Sequence, residues 1–265
     1  MAFELYNESS LPSTLLNLSF GLIGDYVDTM LSNITQEIGS PVVDHLLSFA
    51  RQLGETDLTV CNVDDLEDVN QGNTIGHGTT MSVFKCHWKS RSKLVAVKRI
   101  NLGIPLGKSM LDIHEEEYRA SLRSLFLELR IMNHPWFKAH PNFVNLYGVC
   151  WDRISGDESI SGHRPSMIVE LADQTTPTLK DLIIRNGQRL VNTGLVLDLL
   201  TDTAEGVTML HATKIIHGDL KPENILLFPA PRRLVAKVSD FGFCSPFVGS
   251  RDRIGGTYYW NAPVS

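Results

Sequence analysis

Apolar residues recur along the first 56 positions at helical spacing. Leu16, Phe20, Ile23, Val27, Met30 and Ile34 follow one another at steps of four, three, four, three and four, which lays them on one helix face. Gly39-Ser40-Pro41 interrupts the pattern, with Ser40 suited to an N-cap and Pro41 to the first helical position. A second stripe runs through Val43, Leu46, Leu47, Ala50 and Leu53. The run is shorter than the three or four heptads a coiled coil requires, so it reads as a helical pair packed on its own chain. A helix-mediated partner is expected at this N-terminal region.

From Leu58 the texture changes to short runs of strand character. Val83–Cys86 and Leu94–Val97 read as strands joined by the polar turn Lys89-Ser90-Arg91-Ser92. Residues 112–133 read as a helix with Leu122, Leu125, Leu129 and Met132 on one face. Two further strands, around Val144–Val149 and Met167–Leu171, are expected to flank a polar loop at 152–166. Long helical patterns follow from Leu179 to Leu210, and apolar strands are expected at Ile225–Leu227 and Ala236–Ser239.

The 265 residues are 43% hydrophobic and 20% charged, the balance of a folded domain. No apolar run reaches the length of a membrane span, and the first 50 residues hold six acids and neither Lys nor Arg, so a secretory leader is not expected. The other 215 residues carry 24 basic and 24 acidic side chains; without a basic excess, a nucleic-acid partner is not expected. Cys61, Cys86, Cys150 and Cys244 are far apart in sequence and form no CxxC pair. That argues against a disulfide framework or zinc site and fits a cytoplasmic location.

Four constellations carry chemistry. Ile75-Gly76-His77-Gly78 and the residues up to Val83 form a glycine-containing turn between strands, where backbone amides can approach phosphate oxygens. A dinucleotide fingerprint would open a helix, and this turn opens a strand. Val95-Ala96-Val97-Lys98 is an apolar strand ending in a cation that needs a partner, and Glu128 on the downstream helix is the natural one. His217-Gly218-Asp219-Leu220-Lys221-Pro222-Glu223-Asn224 is followed, sixteen residues past Asn224, by Asp240-Phe241-Gly242. Two carboxylates and an amide beside short apolar strands suit a metal–phosphate site in which a carboxylate also accepts a hydroxyl proton.

In this order the segments resemble the eukaryotic protein kinase signature set, from about Gly72 to Pro263. The resemblance implies an α+β, protein-kinase-like two-lobed fold. Its small lobe would be a five-stranded sheet plus a helix (about 66–172) and its large lobe helical (173–265). Residues 57–265 would form the kinase domain and 1–56 an acidic helical N-terminal extension. It also implies ATP and Mg²⁺ as cofactors, with Ile75, Gly76, Gly78 and Val83 over the nucleotide and Ala96 and Leu226 against adenine. Val169 would be the gatekeeper and Glu170–Ala172 the hinge. Lys98 would hold the α- and β-phosphates, paired to Glu128. Asp219 would be the catalytic base, and Lys221 would neutralise the transferred group. Asn224 and Asp240 would hold the metal. Met132, Leu146, His217 and Phe241 would stack between the lobes, which makes His217 a packing residue.

Lys221, and Thr257 in Gly256-Thr257-Tyr258-Tyr259, resemble the Ser/Thr branch, so a protein substrate with Ser or Thr hydroxyls is expected. The sequence also departs from the family pattern. Met81 replaces the third glycine of the turn, and Gly218 replaces the Arg that pairs with an activation-loop phosphate. Gly103-Ile104-Pro105-Leu106-Gly107-Lys108-Ser109 falls one residue short of a Walker A loop. The chain stops at Val264-Ser265, where the family continues into further helices, so a truncated large lobe is expected, with Leu200, Val207, Leu210 and Leu226 losing packing. Impaired transfer would follow. The alternative is a catalytically inactive kinase-like protein that binds ATP or partners. His134 and His140 read as caps around a Pro-containing turn, and Cys244 as a small buried residue.

Overall fold

The computed structural model describes residues 59–67, 74–78, 81–101, 115–153, 163–186, 192–246 and 256–260. The amphipathic stretches within 1–56, the Gly103–Ser109 segment and the residues after Trp260 lie outside the described residues.

In chain order the described elements begin with β1 (Thr59–Asn62), β2 (Leu66–Glu67), β3 (Thr74–His77), β4 (Met81–Trp88) and β5 (Lys93–Ile100). Helices α1 (Glu115–Asn133) and α2 (Pro135–Lys138) follow, then β6 (Leu146–Arg153) and β7 (His163–Glu170). The remainder holds α3 (Leu179–Asn186), α4 (Thr193–Ala212), β8 (Ile215–Ile216), β9 (Ile225–Pro229), β10 (Leu234–Val238) and β11 (Ser245–Pro246).

Seven strands form one sheet in the order β1-β6-β7-β5-β4-β2, with β3 also paired to β4. Five of them, β3 to β7, are those the resemblance implies. The other two come from residues 59–67: β1 runs parallel to β6, and β2 antiparallel to β4. At four and two residues they are too short for a hydrophobic pattern to reveal. Trp88 holds β2 down by donating its indole N–H to Asp65 Oδ2 at 2.7 Å. β1 comes so close that a Cβ on Gly148 would lie 2.3 Å from the Thr59 carbonyl oxygen, so only glycine fits there.

The two-residue period of the strands divides their apolar side chains between two cores. Ala96, Ile100, Met167, Val169 and Val149 face the main core, together with Leu125, Leu129 and Met132 of α1. Val95, Val97, Ile168 and Cys150 face the other way, into a small core closed by Leu66 and Trp88. Cys61 and Cys86 also enter this small core, so three cysteines that are far apart in sequence share one core. The main core continues without a break into the second half of the chain through Phe143, Leu210, Leu227 and Phe241.

Two element boundaries differ from expectation. The polar loop expected at 152–166 is shorter, because Asp152 pairs with Arg164 and Arg153 with His163 in the β6–β7 ladder. Backbone hydrogen bonds extend that hairpin through polar residues, which side-chain patterning does not register. The helical stretch from Leu179 to Leu210 is two helices. α3 begins at a reciprocal cap in which the Asp181 amide donates to Thr178 Oγ1 and the Thr178 hydroxyl to Asp181 Oδ2. Asn192 caps α4 by accepting from the Gly194 amide at 2.9 Å. Leu210, expected to lose packing, is fully buried, because α4 packs on β10; Leu200 is 56% exposed. Asp202 of α4 ties the helix to β10 by accepting from Arg233 Nη2 and the Ala236 amide, each at 2.9 Å.

Candidate active site

The β3–β4 turn is fastened at both ends. The Gly78 amide donates to the Met81 carbonyl at 2.8 Å, and Asn101 Nδ2 donates to the Gly78 carbonyl at 2.8 Å. Ser82 Oγ donates to Asn101 Oδ1 at 2.6 Å, so the end of β5 supports the turn through one side chain. Met81, expected within the turn, instead starts β4 and is buried in the main core. Gly76 pairs with Val83 across the ladder, and Ile75 is 49% exposed beside them.

Lys98 projects from the main-core face of β5 beside Ala96. Its ammonium donates to Glu128 Oε1 at 2.6 Å and Oε2 at 2.8 Å, and lies 3.6 Å from Asp240 Oδ1. Burial works against the Lys98 charge, yet the Glu128 and Asp240 carboxylates outweigh it and hold its pKa above the ordinary lysine value. Burial pushes Glu128 above the usual carboxylate range, against the pull of Lys98. Ala96 and Val169 are direct partners in the β5–β7 ladder, and both are buried.

After Val169 the chain leaves the sheet through Glu170, Leu171 and Ala172. Glu170 is engaged inside the fold: its amide donates to the Asn145 carbonyl at 2.9 Å. Its Oε2 accepts from Asn145 Nδ2 at 2.8 Å and Lys237 Nζ at 2.6 Å. The Ala172 carbonyl accepts from Gln174 Nε2 at 2.9 Å, and Leu226, on β9, packs half-buried against the main core.

The segment from His217 to Asn224 holds the densest polar network described. His217 donates from Nε2 to the Ser239 carbonyl at 2.9 Å and accepts the Asp219 amide at Nδ1. Burial keeps its pKa below the ordinary imidazole value, and its ring lies against Phe241. Phe241 in turn stacks on Phe143, and Met132 and Leu146 belong to the same core. Gly218 has φ of 78°, a left-handed conformation that glycine adopts without a Cβ penalty. Asp240 is also left-handed, at φ of 64°.

Asp219 accepts from four donors. Thr257 supplies its amide and hydroxyl to Oδ1, each at 2.8 Å. Lys221 lies 2.7 Å from Oδ2, and Asn224 Nδ2 donates to the same oxygen at 3.0 Å. Lys221 also donates to Thr257 Oγ1 at 2.8 Å, closing the ring. Burial alone would raise the Asp219 pKa; the hydrogen bonds from Lys221 and Thr257 outweigh it and hold the carboxyl below its ordinary value. The two groups of residues are joined at Ser239, which precedes Asp240 and whose amide and hydroxyl both donate to the Asn224 carbonyl at 2.9 Å.

The structure thus brings together Lys98, Glu128 and Asp240, and separately Asp219, Lys221, Asn224 and Thr257, with Ser239 as the link. Sequence reasoning did not single out Asn101, Asn145 or Lys237. Their only signal is a polar residue bordering or interrupting an apolar strand. His134 and His140 act as caps, accepting from the Trp136 and Asn142 amides. Cys244 is buried, and burial pushes its thiol well above the ordinary value. None of the described helices is long and apolar enough to cross a membrane.

The protein kinase domain profile matches residues 69–264. A serine/threonine-protein kinase of Pyricularia oryzae, MST20, is 26% identical over 208 residues, covering 77% of this chain and 19% of that protein. The serine/threonine-protein kinase pakA of Talaromyces marneffei is 27% identical, over 72% of this chain and 25% of its own length. Myosin-IIIa of Mus musculus is 29% identical, over 72% of this chain and 10% of its own length. The chain therefore spans a quarter or less of each of these relatives.

Proposed function

The chain belongs to the protein kinase domain family, and on that premise we propose that it transfers the γ-phosphoryl group of ATP to Ser or Thr hydroxyls of a protein substrate. The observation that carries this reading is the ring of Asp219, Lys221 and Thr257, with Asn224 bound to the same carboxylate. A carboxylate held ionised by cationic and hydroxyl donors is suited to orient an acceptor hydroxyl and take its proton. Lys221 places a positive charge beside the acceptor position, where it offsets charge on the transferred group. The naming of two relatives as serine/threonine kinases supports the hydroxyl class.

ATP would lie under Ile75, Gly76, Gly78 and Val83, with adenine between Ala96, Val169 and Leu226. Because the Glu170 amide and the Ala172 carbonyl are already bonded, the hinge would read adenine through the Glu170 carbonyl and the Ala172 amide. Lys98, held by Glu128, would take the α- and β-phosphates. The donor set fits Mg²⁺. Asn224 spends its amide nitrogen on Asp219, so it would offer a metal its oxygen, and Asp240 offers a carboxylate that is 42% exposed. No group of three His, Cys, Asp or Glu side chains gathers among the described residues. Two hard oxygen donors completed by phosphate oxygens and water are the pattern Mg²⁺ takes in phosphoryl transfer. When bound, the ion would neutralise phosphate charge; the chain's own residues would position, orient and accept the proton.

The division into an extension (1–56) and a kinase domain (57–265), a helix-mediated partner for that extension, and a cytoplasmic location belong to the same proposal. Four cysteines far apart in sequence, with no CxxC pair among them, support the location. The test is transfer of labelled phosphate from Mg·ATP to a mixed protein acceptor such as casein, comparing the chain with Asp219→Asn. Labelling of Ser and Thr that disappears in the variant is expected. Nucleotide binding with no transfer above the variant would instead support the inactive, nucleotide-binding reading.

A further inference from the structure

Cys61 of β1 is the direct ladder partner of Cys150 of β6, and both side chains enter the small core. Neighbouring strands lie about 4.8 Å apart, within the Cα separation of about 4.4–6.8 Å that a disulfide spans. Cys86 enters the same core, but β7 and β5 lie between its strand and β6, and it is level with Glu170 of β7 where Cys150 is level with Ser166, so it is out of disulfide reach of Cys150. We propose that Cys61 and Cys150 are a redox pair, which a peroxide closes into an intrachain disulfide that clips β1 to the sheet. This inference does not depend on phosphoryl transfer.

The order of events follows from the position of the two thiols. β1 is a four-residue strand at the sheet edge, paired among the described residues with β6 alone, and Cys150 beside it is wholly buried. While β1 is docked, burial pushes the Cys61 thiol up to about 11, with Asp65 adding to the effect, so it is a poor nucleophile. Fraying of the short edge strand opens Cys61 first and returns it to an ordinary thiol. Its thiolate then attacks one peroxide oxygen, the O–O bond breaks, and Cys61 becomes a sulfenic acid as hydroxide leaves. When β1 redocks, the Cys150 sulfur attacks the Cys61 sulfur, the S–OH bond breaks, and the hydroxide departs as water with the thiol proton. Two thiols lose two protons and two electrons, and the peroxide is reduced to water. No three-ligand group of His, Cys, Asp or Glu occurs among the described residues, so the paired thiols are not read as a metal site.

The experiment treats the full chain with hydrogen peroxide, blocks remaining thiols with N-ethylmaleimide, and maps non-reduced peptides by mass spectrometry. A Cys61–Cys150 linked peptide that dithiothreitol removes is expected. The oxidised chain should melt roughly 5 °C or more above the reduced one, because the cross-link constrains the unfolded state. Cys61→Ser and Cys150→Ser should lose both effects, and Cys86→Ser should keep them. The peptide map of the unsubstituted chain decides the pairing even if a variant folds poorly. Links through Cys86, links between two chains, or over-oxidised Cys61 with no disulfide would each overturn the proposal.

Discussion

Thr257 places both its backbone N–H and its hydroxyl on one oxygen of Asp219, Oδ1, at 2.8 Å each. The two residues are 38 positions apart, and the contact brings the segment around Gly256 onto the His217–Asn224 loop. The Asp219 carboxylate therefore has its orientation set from outside its own loop, with Lys221 bridging the two partners.

Thr257→Val keeps the amide donor and removes the hydroxyl. A hydrogen bond to a charged group is worth about 1.5–3 kcal/mol, so the transfer rate should fall by about tenfold or more with the KM for ATP little changed. Thr257→Ser should retain most activity. Steady-state kinetics on casein checks this; a Val variant as active as the parent would mean that the hydroxyl does not position Asp219.

Lys98→Met breaks a pair in which Glu128 is almost wholly buried. Removing one partner of such a pair costs about 3–5 kcal/mol, so the melting temperature of the free protein should drop. The rise in melting temperature with added Mg·ATP should also vanish, since ligand stabilisation depends on retained affinity. Differential scanning fluorimetry with and without nucleotide measures both, and equal nucleotide shifts in the two proteins would remove Lys98 from the nucleotide site.

Lys237 donates to Glu170 at 2.6 Å and lies over the Phe228 ring, linking β10 to the exit of β7. Lys237→Met leaves Glu170 with Asn145 alone. The expected loss is about 1–3 kcal/mol in urea unfolding, because a half-buried charged hydrogen bond is removed. Glu170→Gln should cost less, since its side-chain oxygen still accepts from Lys237. If the two variants lose equal stability, the ionic part of the contact is the whole of it.

Burial lowers the pKa of His134, His140 and His217, and hydrogen bonds outweigh burial to lower those of Asp202 and Asp219. In each case the unfolded chain takes up protons first as pH falls, so the stabilisation is present above the unfolded pKa and lost below it. Stability should decline from about pH 6.5 through the histidines and again below about pH 4 through the carboxylates. Asp202→Asn should shrink the second step. Urea midpoints measured between pH 8 and 3 test this; a flat profile would contradict it.

Gly218 occupies a left-handed position and carries no side chain to meet a phosphate. Phosphatase treatment should therefore leave transfer activity unchanged, and loss of activity on treatment would show that another residue takes the phosphate. Gly218→Ala should cost about 1–2 kcal/mol through the left-handed backbone alone.

The motif residues, their order and the Lys98–Glu128 pairing were legible in the amino-acid sequence. A cation on an apolar strand and an acid on an apolar-faced helix each demand a partner, and that demand is local chemistry. The helix face of Leu125, Leu129 and Met132 was legible for a related reason, since periodicity records which side is buried. Contacts between segments that carry no such demand were not. β1 and β2 are too short to show a period, and their pairing rests on backbone hydrogen bonds, the Asp65–Trp88 contact and the absence of a side chain at Gly148. Asn101, Asn145 and Lys237 look like ordinary surface polar residues until the fold turns them onto Gly78 and Glu170. The four cysteines looked dispersed because sequence distance says nothing of sheet order. Only the tertiary structure set Cys61 beside Cys150, through a parallel pairing of strands almost ninety residues apart, and register across so long a loop is fixed by packing rather than by local pattern.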